Sequence, residues 1–215
     1  MGIICSPSLF SADMLTLQDE LDSIKMSGAQ WVHLDIMDGL FVPNFFLSPK
    51  TIKDIRRGTS LFLDAHLMIS NPDKYIQIFA ESGCDAITFH QETTTNSKMT
   101  IEKIHRMDKQ AGISLSPKTP VDAIVPMLSS VDIVLVMAIN PGIPNQTFMM
   151  KTLEKVAYLN SMKTKQKLSF RISVDGGVTL EHSLALQKAG ANVLVTGSSF
   201  FSSDNRKNFV DALIL

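Results

Sequence analysis

Short apolar runs of strand length alternate along the whole chain with longer segments whose apolar residues recur at the period of a helix. Several helical segments end in Ser-Gly or Ala-Gly directly before the next apolar run, as the turns of a repeated strand–helix unit would. No linker or shift in composition divides the sequence. The eight runs that we predict to be strands cover residues 3–9, 31–36, 61–68, 86–90, 113–117, 133–139, 170–175 and 192–197.

Eight strand–helix units in 215 residues predict an α/β fold, a single-domain (β/α)8 TIM barrel over residues 1–215. An open doubly wound sheet would carry a glycine-rich turn after its first strand, whereas the turn here, SPSLFSAD at 6–13, contains no glycine. Reactive groups in a barrel lie at the C-terminal ends of the strands and on the loops that follow. The residues at those ends are therefore the functional candidates.

The strand ends carry an unusual number of polar side chains for an apolar interior. In WVHLDI, for example, His33 and Asp35 are two positions apart, so both point to one face of the strand. From strand to strand, the ends carry Ser6 and Ser8; His33, Asp35 and Met37; His66 and Met68; His90 and Glu92; Ser116; Met137; Asp175; and Gly197 with Ser198.

Two imidazoles and two carboxylates at these ends form a complete set of ligands for a divalent ion. They come from three separate strands that must converge at one barrel mouth: His33, Asp35, His66 and Asp175. Mixed imidazole and carboxylate ligands without thiolate suit Zn²⁺, Fe²⁺, Mn²⁺ or Co²⁺. We expect one such ion, with Zn²⁺ as the first choice.

The loops after the last two predicted strands have the pattern of an anion site. VDGGV (174–178) and TGSS (196–199) each follow a strand and precede a helix, so backbone N–H groups can point at a phosphate. The corresponding loops are the usual phosphate site of TIM barrels. The loop NPGIPN (140–145) can add Gly142 to this site.

Composition excludes several classes of protein. The 20 basic and 21 acidic residues nearly balance, and no basic cluster indicates a nucleic-acid surface. No apolar stretch approaches the roughly 20 residues of a membrane span, and the N-terminus lacks the basic start of a signal peptide. We therefore expect a cytoplasmic protein with no membrane partner, and Cys5 and Cys84 as free buried thiols.

Motifs along nearly the whole chain resemble those of the ribulose-phosphate 3-epimerase family. They are SPSLFSAD, VHLDIMDGLFVPN, DAHLMISNPDKYI, AITFHQE, NPGIPNQTF, SVDGGV and VTGSS. The resemblance implies a metal-dependent isomerase with a (β/α)8 fold that acts on a small phosphorylated ketose. We further expect a homo-oligomer.

The resemblance also implies a role for each matching residue. The four candidate ligands resemble the family's metal site, and two of them, Asp35 and Asp175, resemble its acid/base pair. Residues resembling the family's substrate contacts are Ser8, His66, Met37, Met68 and Met137, of which the methionines resemble a cap over the reacting carbons, and Gly142, Gly176, Gly177, Gly197 and Ser198 at the phosphate.

Inversion at C3 of a ketose requires removal of a proton from one face and delivery to the other. Two carboxylates can do this through a cis-enediolate that the ion stabilises as a Lewis acid. The expected reaction is D-ribulose 5-phosphate to D-xylulose 5-phosphate. FFLSP (45–49) resembles the allulose-6-phosphate branch of the family, whereas VDGG resembles the ribulose branch, so D-allulose 6-phosphate stays open as the substrate.

The chain departs from the family where NPGFGGQ is usual, because Pro144 and Asn145 replace two glycines. Proline lacks a backbone donor, and asparagine adopts positive φ less freely than glycine. A barrel that binds phosphosugars without turnover is therefore a second alternative. A lyase or decarboxylase would want a lysine at the strand ends, which carry none. His90, Glu92, His105 and His182 have no assigned role.

Overall fold

Nine strands form one curled sheet in the computed structural model, which describes residues 2–215. Eight are parallel, in the order β1-β9-β8-β7-β6-β5-β4-β2, and β3 lies antiparallel to β2. A single bridge between Ser8 and His33 joins β1 to β2 and closes the sheet into a barrel. The strands are β1 (Ile4–Pro7), β2 (Trp31–Asp38), β3 (Phe45–Phe46), β4 (Phe62–Met68), β5 (Ala86–His90), β6 (Gln110–Leu115), β7 (Ile133–Met137), β8 (Arg171–Asp175) and β9 (Val193–Thr196).

Helices connect the parallel strands, as a (β/α)8 barrel requires. They are α1 (Leu17–Met26), α2 (Pro49–Gly58), α3 (Ile76–Glu81), α4 (Ser97–His105), α5 (Thr152–Gln166), α6 (Leu180–Ala189), α7 (Ser198–Phe201) and α8 (Arg206–Ile214). The segment between β6 and β7 is a 3₁₀ helix, Val121–Met127, with Pro126 inside it. Our prediction of the fold class is thus confirmed.

Side chains alternate between two environments along each strand. In β2, Val32 and Leu34 belong to the main apolar core, which also includes Leu21 and Ile24 of α1. A smaller apolar cluster closes the N-terminal end of the barrel and contains the first residue of β2, Trp31. Between that cluster and the mouth, the strand residues that point into the barrel are mostly polar: Ser6, His33, Asp64, Thr88, Ser114 and Ser173.

The fifth predicted strand was placed too late in the chain. We predicted residues 113–117, with Ala111-Gly112 as the end of a helix, but α4 ends at His105 and β6 begins at Gln110. Asp108, with φ of 56°, makes the turn between them. Gly112 instead faces Thr88 across the β5–β6 pair, where a Cβ atom would lie 2.1 Å from the Thr88 hydroxyl.

Both cysteines are free and buried, as predicted. Burial raises the pKa of each thiol to about 12, despite hydrogen bonds that act in the opposite direction. Within residues 2–215, no helix is both long and apolar enough to cross a membrane.

Candidate active site

The pairing of β2 with β4 assembles most of the site. In this parallel register His33 lies opposite Asp64, and Asp35 lies opposite His66. Alternate residues of a strand share a face, so all four side chains project into the barrel. The imidazoles meet with His33 Nε2 at 3.4 Å from His66 Nδ1.

Two carboxylates face these imidazole nitrogens. Asp35 Oδ1 lies 3.5 Å from His33 Nε2 and 3.4 Å from His66 Nδ1. Asp175, at the end of β8, places Oδ2 at 3.8 Å from each of the same nitrogens. One donor atom from each of the four predicted metal ligands thus lies within 4.8 Å of the others. The cluster offers two nitrogen and two oxygen ligands to one point, which fits a divalent ion.

The two carboxylates differ in their electrostatic surroundings. Burial raises the pKa of Asp35, but His33 and His66 outweigh it and hold that pKa well below its usual range. Burial and the neighbouring Asp35 raise the pKa of Asp175 to about 7, even though His33 lowers it. One carboxylate is therefore ionised at neutral pH while the other can hold a proton.

The pKa values of the two imidazoles are also shifted in opposite directions. Burial disfavours a charge on His33, but Asp35 and Asp64 raise its pKa well above the usual value. Burial lowers the pKa of His66 to about 4, although the neighbouring Asp35 carboxylate acts to raise it. Near neutral pH His66 is therefore an uncharged ring, the form that binds metals.

Ser8 connects the end of β1 to this cluster. Its hydroxyl donates to Asp35 Oδ2 at 2.5 Å and accepts from the backbone N–H of Phe10 at 3.2 Å. The three predicted methionines, Met37, Met68 and Met137, are all buried and line the cleft above the carboxylates. They present thioether and methyl groups that have no exchangeable proton.

The cleft above the cluster has a volume of about 280 Å³. Its lining combines the two carboxylates, Asp35 and Asp175, with the loops after β7, β8 and β9, whereas His33 and His66 are fully buried and do not line it. Gly176 has φ of 105°, and a Cβ atom there would lie 2.4 Å from Ile139 Cγ1, so only glycine fits this turn. All of the predicted phosphate residues line this cleft: Gly142, Gly176, Gly177, Gly197 and Ser198.

Comparison with known proteins identifies the family. The model of the ribulose-phosphate 3-epimerase family matches residues 4–201. The chain belongs to this family. The match includes every strand and every residue of the cluster. The resemblance stated from the motifs is confirmed, and the family is one of isomerases.

Curated relatives of the epimerase family match over nearly the whole chain. Ribulose-phosphate 3-epimerase of Treponema pallidum (strain Nichols) is 43% identical over 94% of this chain and 92% of its own. The enzyme of Bacillus subtilis (strain 168) is 38% identical over 97% and 96%. The chloroplastic ribulose-5-phosphate-3-epimerase of Arabidopsis thaliana is 37% identical over 98% and 75%.

Solved structures support the barrel fold. KGPDC from Streptococcus mutans superposes with a TM-score of 0.71 at 14% identity, covering 99% of this chain and 96% of that one. A 3-hexulose-6-phosphate synthase superposes with a TM-score of 0.70 at 14% identity, covering 99% and 98%. At this identity the similarity concerns the fold alone.

Three residues around this epimerase-family cluster were not assigned from the sequence. Asp64 accepts a hydrogen bond from His33 Nδ1 at 2.9 Å and is almost fully buried. Its position two residues before His66 was a usable signal, because the two must share a face. His90 contacts the ring nitrogen of His66 that faces away from the carboxylates, and Glu92 contacts His90. His105 and His182 make hydrogen bonds outside the cluster.

Proposed function

We propose that the protein is a metal-dependent 3-epimerase of a phosphorylated ketose, converting D-ribulose 5-phosphate to D-xylulose 5-phosphate. The observation that carries this proposal is the convergence of Asp35 and Asp175 with two imidazoles at the floor of one cleft. Family membership and the activity for which the relatives are named support this choice of substrate.

Asp35 and Asp175 are the proposed proton carriers. They belong to β2 and β8, which β9 and β1 separate around the barrel, so they approach a bound ketose from different directions. One carboxylate removes the C3 proton, the substrate becomes a planar enediolate, and the other delivers a proton to the opposite face. The roles exchange when the reaction runs in reverse.

Four side chains would hold the divalent ion: His33, Asp35, His66 and Asp175. A bound Zn²⁺, or Fe²⁺, Mn²⁺ or Co²⁺ in its place, would supply Lewis-acid stabilisation of negative charge on the substrate oxygens. Asp64 orients His33 by accepting from its Nδ1, which leaves Nε2 free to face the carboxylates.

The remaining lining residues bind and shield the substrate. Ser8 holds Asp35 in place through its hydroxyl. The methionines exclude water from the reacting carbons without offering a proton that could exchange with the intermediate. The loops after β8 and β9 would bind the phosphate through backbone N–H groups at Gly177 and Ser198.

The decisive experiment is the Asp175→Asn variant in a coupled assay, with metal content measured in parallel. The amide preserves shape but cannot carry the proton, so we expect a loss of roughly 10²-fold or more in kcat. Circular dichroism checks that the barrel remains folded. The exposed Asp204→Asn is the matched control and should retain full activity. Activity of Asp175→Asn within a few-fold of the parent would exclude the two-carboxylate assignment.

D-Allulose 6-phosphate is the second candidate substrate. The segment that resembles the allulose branch contains Phe46, which pairs with Met37 and packs edge-on against Phe10 at the cleft. Assaying both phosphoketoses on one preparation decides between them by the ratio of kcat/KM. The single domain over residues 1–215, a cytoplasmic location and a homo-oligomer stay predictions.

A further inference from the structure

His66 has polar neighbours on both sides of its ring. Nδ1 faces the carboxylates of the cluster, and Nε2 lies 2.8 Å from His90 Nε2. His90 Nδ1 in turn lies 3.1 Å from Glu92 Oε2. The three side chains form one continuous line that runs away from the cleft, and neither His90 nor Glu92 has a role in the reaction described above.

The contacts of Glu92 set the direction of the hydrogen bonds. Its Oε1 accepts from the backbone N–H of Ser116 at 2.9 Å and from the Thr119 hydroxyl. Burial raises the pKa of Glu92, but the bonds from His90, Thr119 and Ser116 lower it to about 2. A carboxylate can only accept hydrogen bonds, so the ring of His90 must donate to it from Nδ1.

The rest of the line follows when His90 and His66 each carry one ring proton, because such an imidazole has one donor nitrogen and one acceptor nitrogen. If His90 donates from Nδ1, its Nε2 has a lone pair and accepts from His66 Nε2–H. His66 Nδ1 then has no proton, and its lone pair points at Asp35 and Asp175. This is the tautomer in which His66 can bind an ion at the cluster.

We propose that Glu92 and His90 are positioning residues that fix His66 in its metal-binding tautomer. The inference rests on the proposed function, because it assumes an ion at the cluster. Asp64 orients His33 by a direct hydrogen bond to its ring. Glu92 acts on His66 indirectly, through the ring of His90. Such outer hydrogen bonds orient a ligand and raise its basicity.

The surroundings hold this line rigidly. His90 is fully buried and stacks on His66 with ring centroids 4.9 Å apart, while Phe41 lies 4.8 Å from its other side. Lys155 of α5 donates to the backbone carbonyls of Ser116 and Thr119 at 3.0 and 2.7 Å. The loop that binds Glu92 is thereby fixed to α5.

The test is the isosteric variant Glu92→Gln. Ser116 N–H and the Thr119 hydroxyl retain the carbonyl oxygen of the new side chain, so its NH₂ group faces His90 and donates. Every hydrogen bond in the line then reverses, and His66 Nδ1 acquires the proton. We expect Zn²⁺ affinity, measured by competition with a chromophoric chelator, to fall by about 10- to 100-fold.

A second measurement reads the proton directly. Nitrogen-15 NMR of the metal-free protein should show the proton of His66 on Nε2 in the parent and on Nδ1 in Glu92→Gln. His90→Gln can accept from His66 and donate to Glu92, so it should retain more affinity than His90→Phe, which deletes both bonds. The matched control is His105→Phe, which removes a comparable His–Asp bond of 2.9 Å outside the cluster and should leave Zn²⁺ affinity unchanged.

The outcomes separate this inference from the proposed function. A parent protein that binds no divalent ion would overturn the metal site, yet the tautomer measurement would still test the line of hydrogen bonds. An unchanged His66 tautomer in Glu92→Gln, or Zn²⁺ affinity within two-fold of the parent, would overturn the positioning role. The reversed tautomer with weakened Zn²⁺ binding supports it.

Discussion

At the scale of single residues, Gly112 shows how closely the polar layer of the barrel is packed. Thr88 lies opposite it on β5, and its Oγ1 would be 2.1 Å from an added Cβ atom. The backbone of Gly112 does not require glycine, because its φ is not positive. The side chain of Thr88, rather than the conformation of the chain, excludes any other residue.

We therefore predict that Gly112→Ala lowers the free energy of unfolding by about 1–3 kcal/mol, the usual cost of overpacking a core. Urea denaturation followed by circular dichroism measures the change. Gly2→Ala is the control, because a Cβ atom there meets nothing within 4 Å, and its stability should change by less than about 0.5 kcal/mol. Equal stability of the two variants would contradict the packing argument.

Residue types could be predicted where they repeat on one face of a strand. His33 and Asp35 could be predicted as site residues because they alternate with apolar residues in a strand. Asp175 could be predicted because it lies at the end of a strand. The roles of Asp64 and His90 depend on the register between neighbouring strands, which brings Asp64 to His33 and His90 to His66. Spacing places Asp64 on the same face as His66, but a single sequence does not give the register between strands, so the partners of Asp64 and His90 could not be predicted.

At the scale of elements, side chains hold the loop after β7, where the sequence departs from the family. Asn145 adopts φ of 59°, as a glycine would. Gln146 fixes the loop by donating to the carbonyls of Asn140 and Ile143 at 2.8 and 2.7 Å. Its Oε1 also accepts from the side-chain amide of Asn140 at 3.0 Å. The loop is therefore held by side chains.

Restoring glycine at both Pro144 and Asn145 should change substrate binding more than chemistry. We expect KM for the preferred ketose to fall by at most about tenfold, roughly 1.4 kcal/mol, because loop closure becomes easier. Steady-state kinetics measures this. Lys167→Gly, at another left-handed position (φ of 55°) that ends α5, should leave KM unchanged. A rise of several hundred-fold in kcat would instead favour a binding protein impaired as an epimerase.

Elements with strong periodic patterns could be predicted well, and those shaped by their surroundings could not. Strand β5 has the predicted bounds, Ala86–His90. Strand β6 starts three residues before the predicted 113–117, because Asp108 turns the chain where we expected a glycine. Helix α2 follows local signals that the sequence does carry, because Ser48 caps it by accepting from Thr51 N–H and Pro49 begins it.

At the scale of the whole molecule, the four candidate ligands lie on both sides of the seam between β1 and β2. His33, Asp35 and His66 belong to β2 and β4, whereas Asp175 belongs to β8 on the other side. Within residues 2–215, the Ser8–His33 pair is the one isolated bridge that closes this seam. A bound ion would therefore cross-link the two edges of the sheet.

Metal binding should accordingly raise the stability of the whole barrel. At an ion concentration of 100 times Kd, we expect the free energy of unfolding to increase by about 2.7 kcal/mol. Thermal unfolding with and without Zn²⁺ measures the effect, and a chelator should reverse it. His66→Ala should bind less metal and show a smaller shift. A shift of the same size in that variant would mean that Zn²⁺ binds elsewhere.

The seam between β1 and β2 is also where the barrel should open locally. This edge is held by one backbone bridge and the Ser8–Asp35 side-chain bond, so it opens before the sheet opens between β5, β6 and β7, which pair along most of their length. Amide hydrogens that bond across this bridge should then exchange with solvent ahead of those in the opposite wall. Each opening would separate Asp175 from the other three candidate ligands. The rate of this local opening would therefore limit how fast an ion can bind and dissociate.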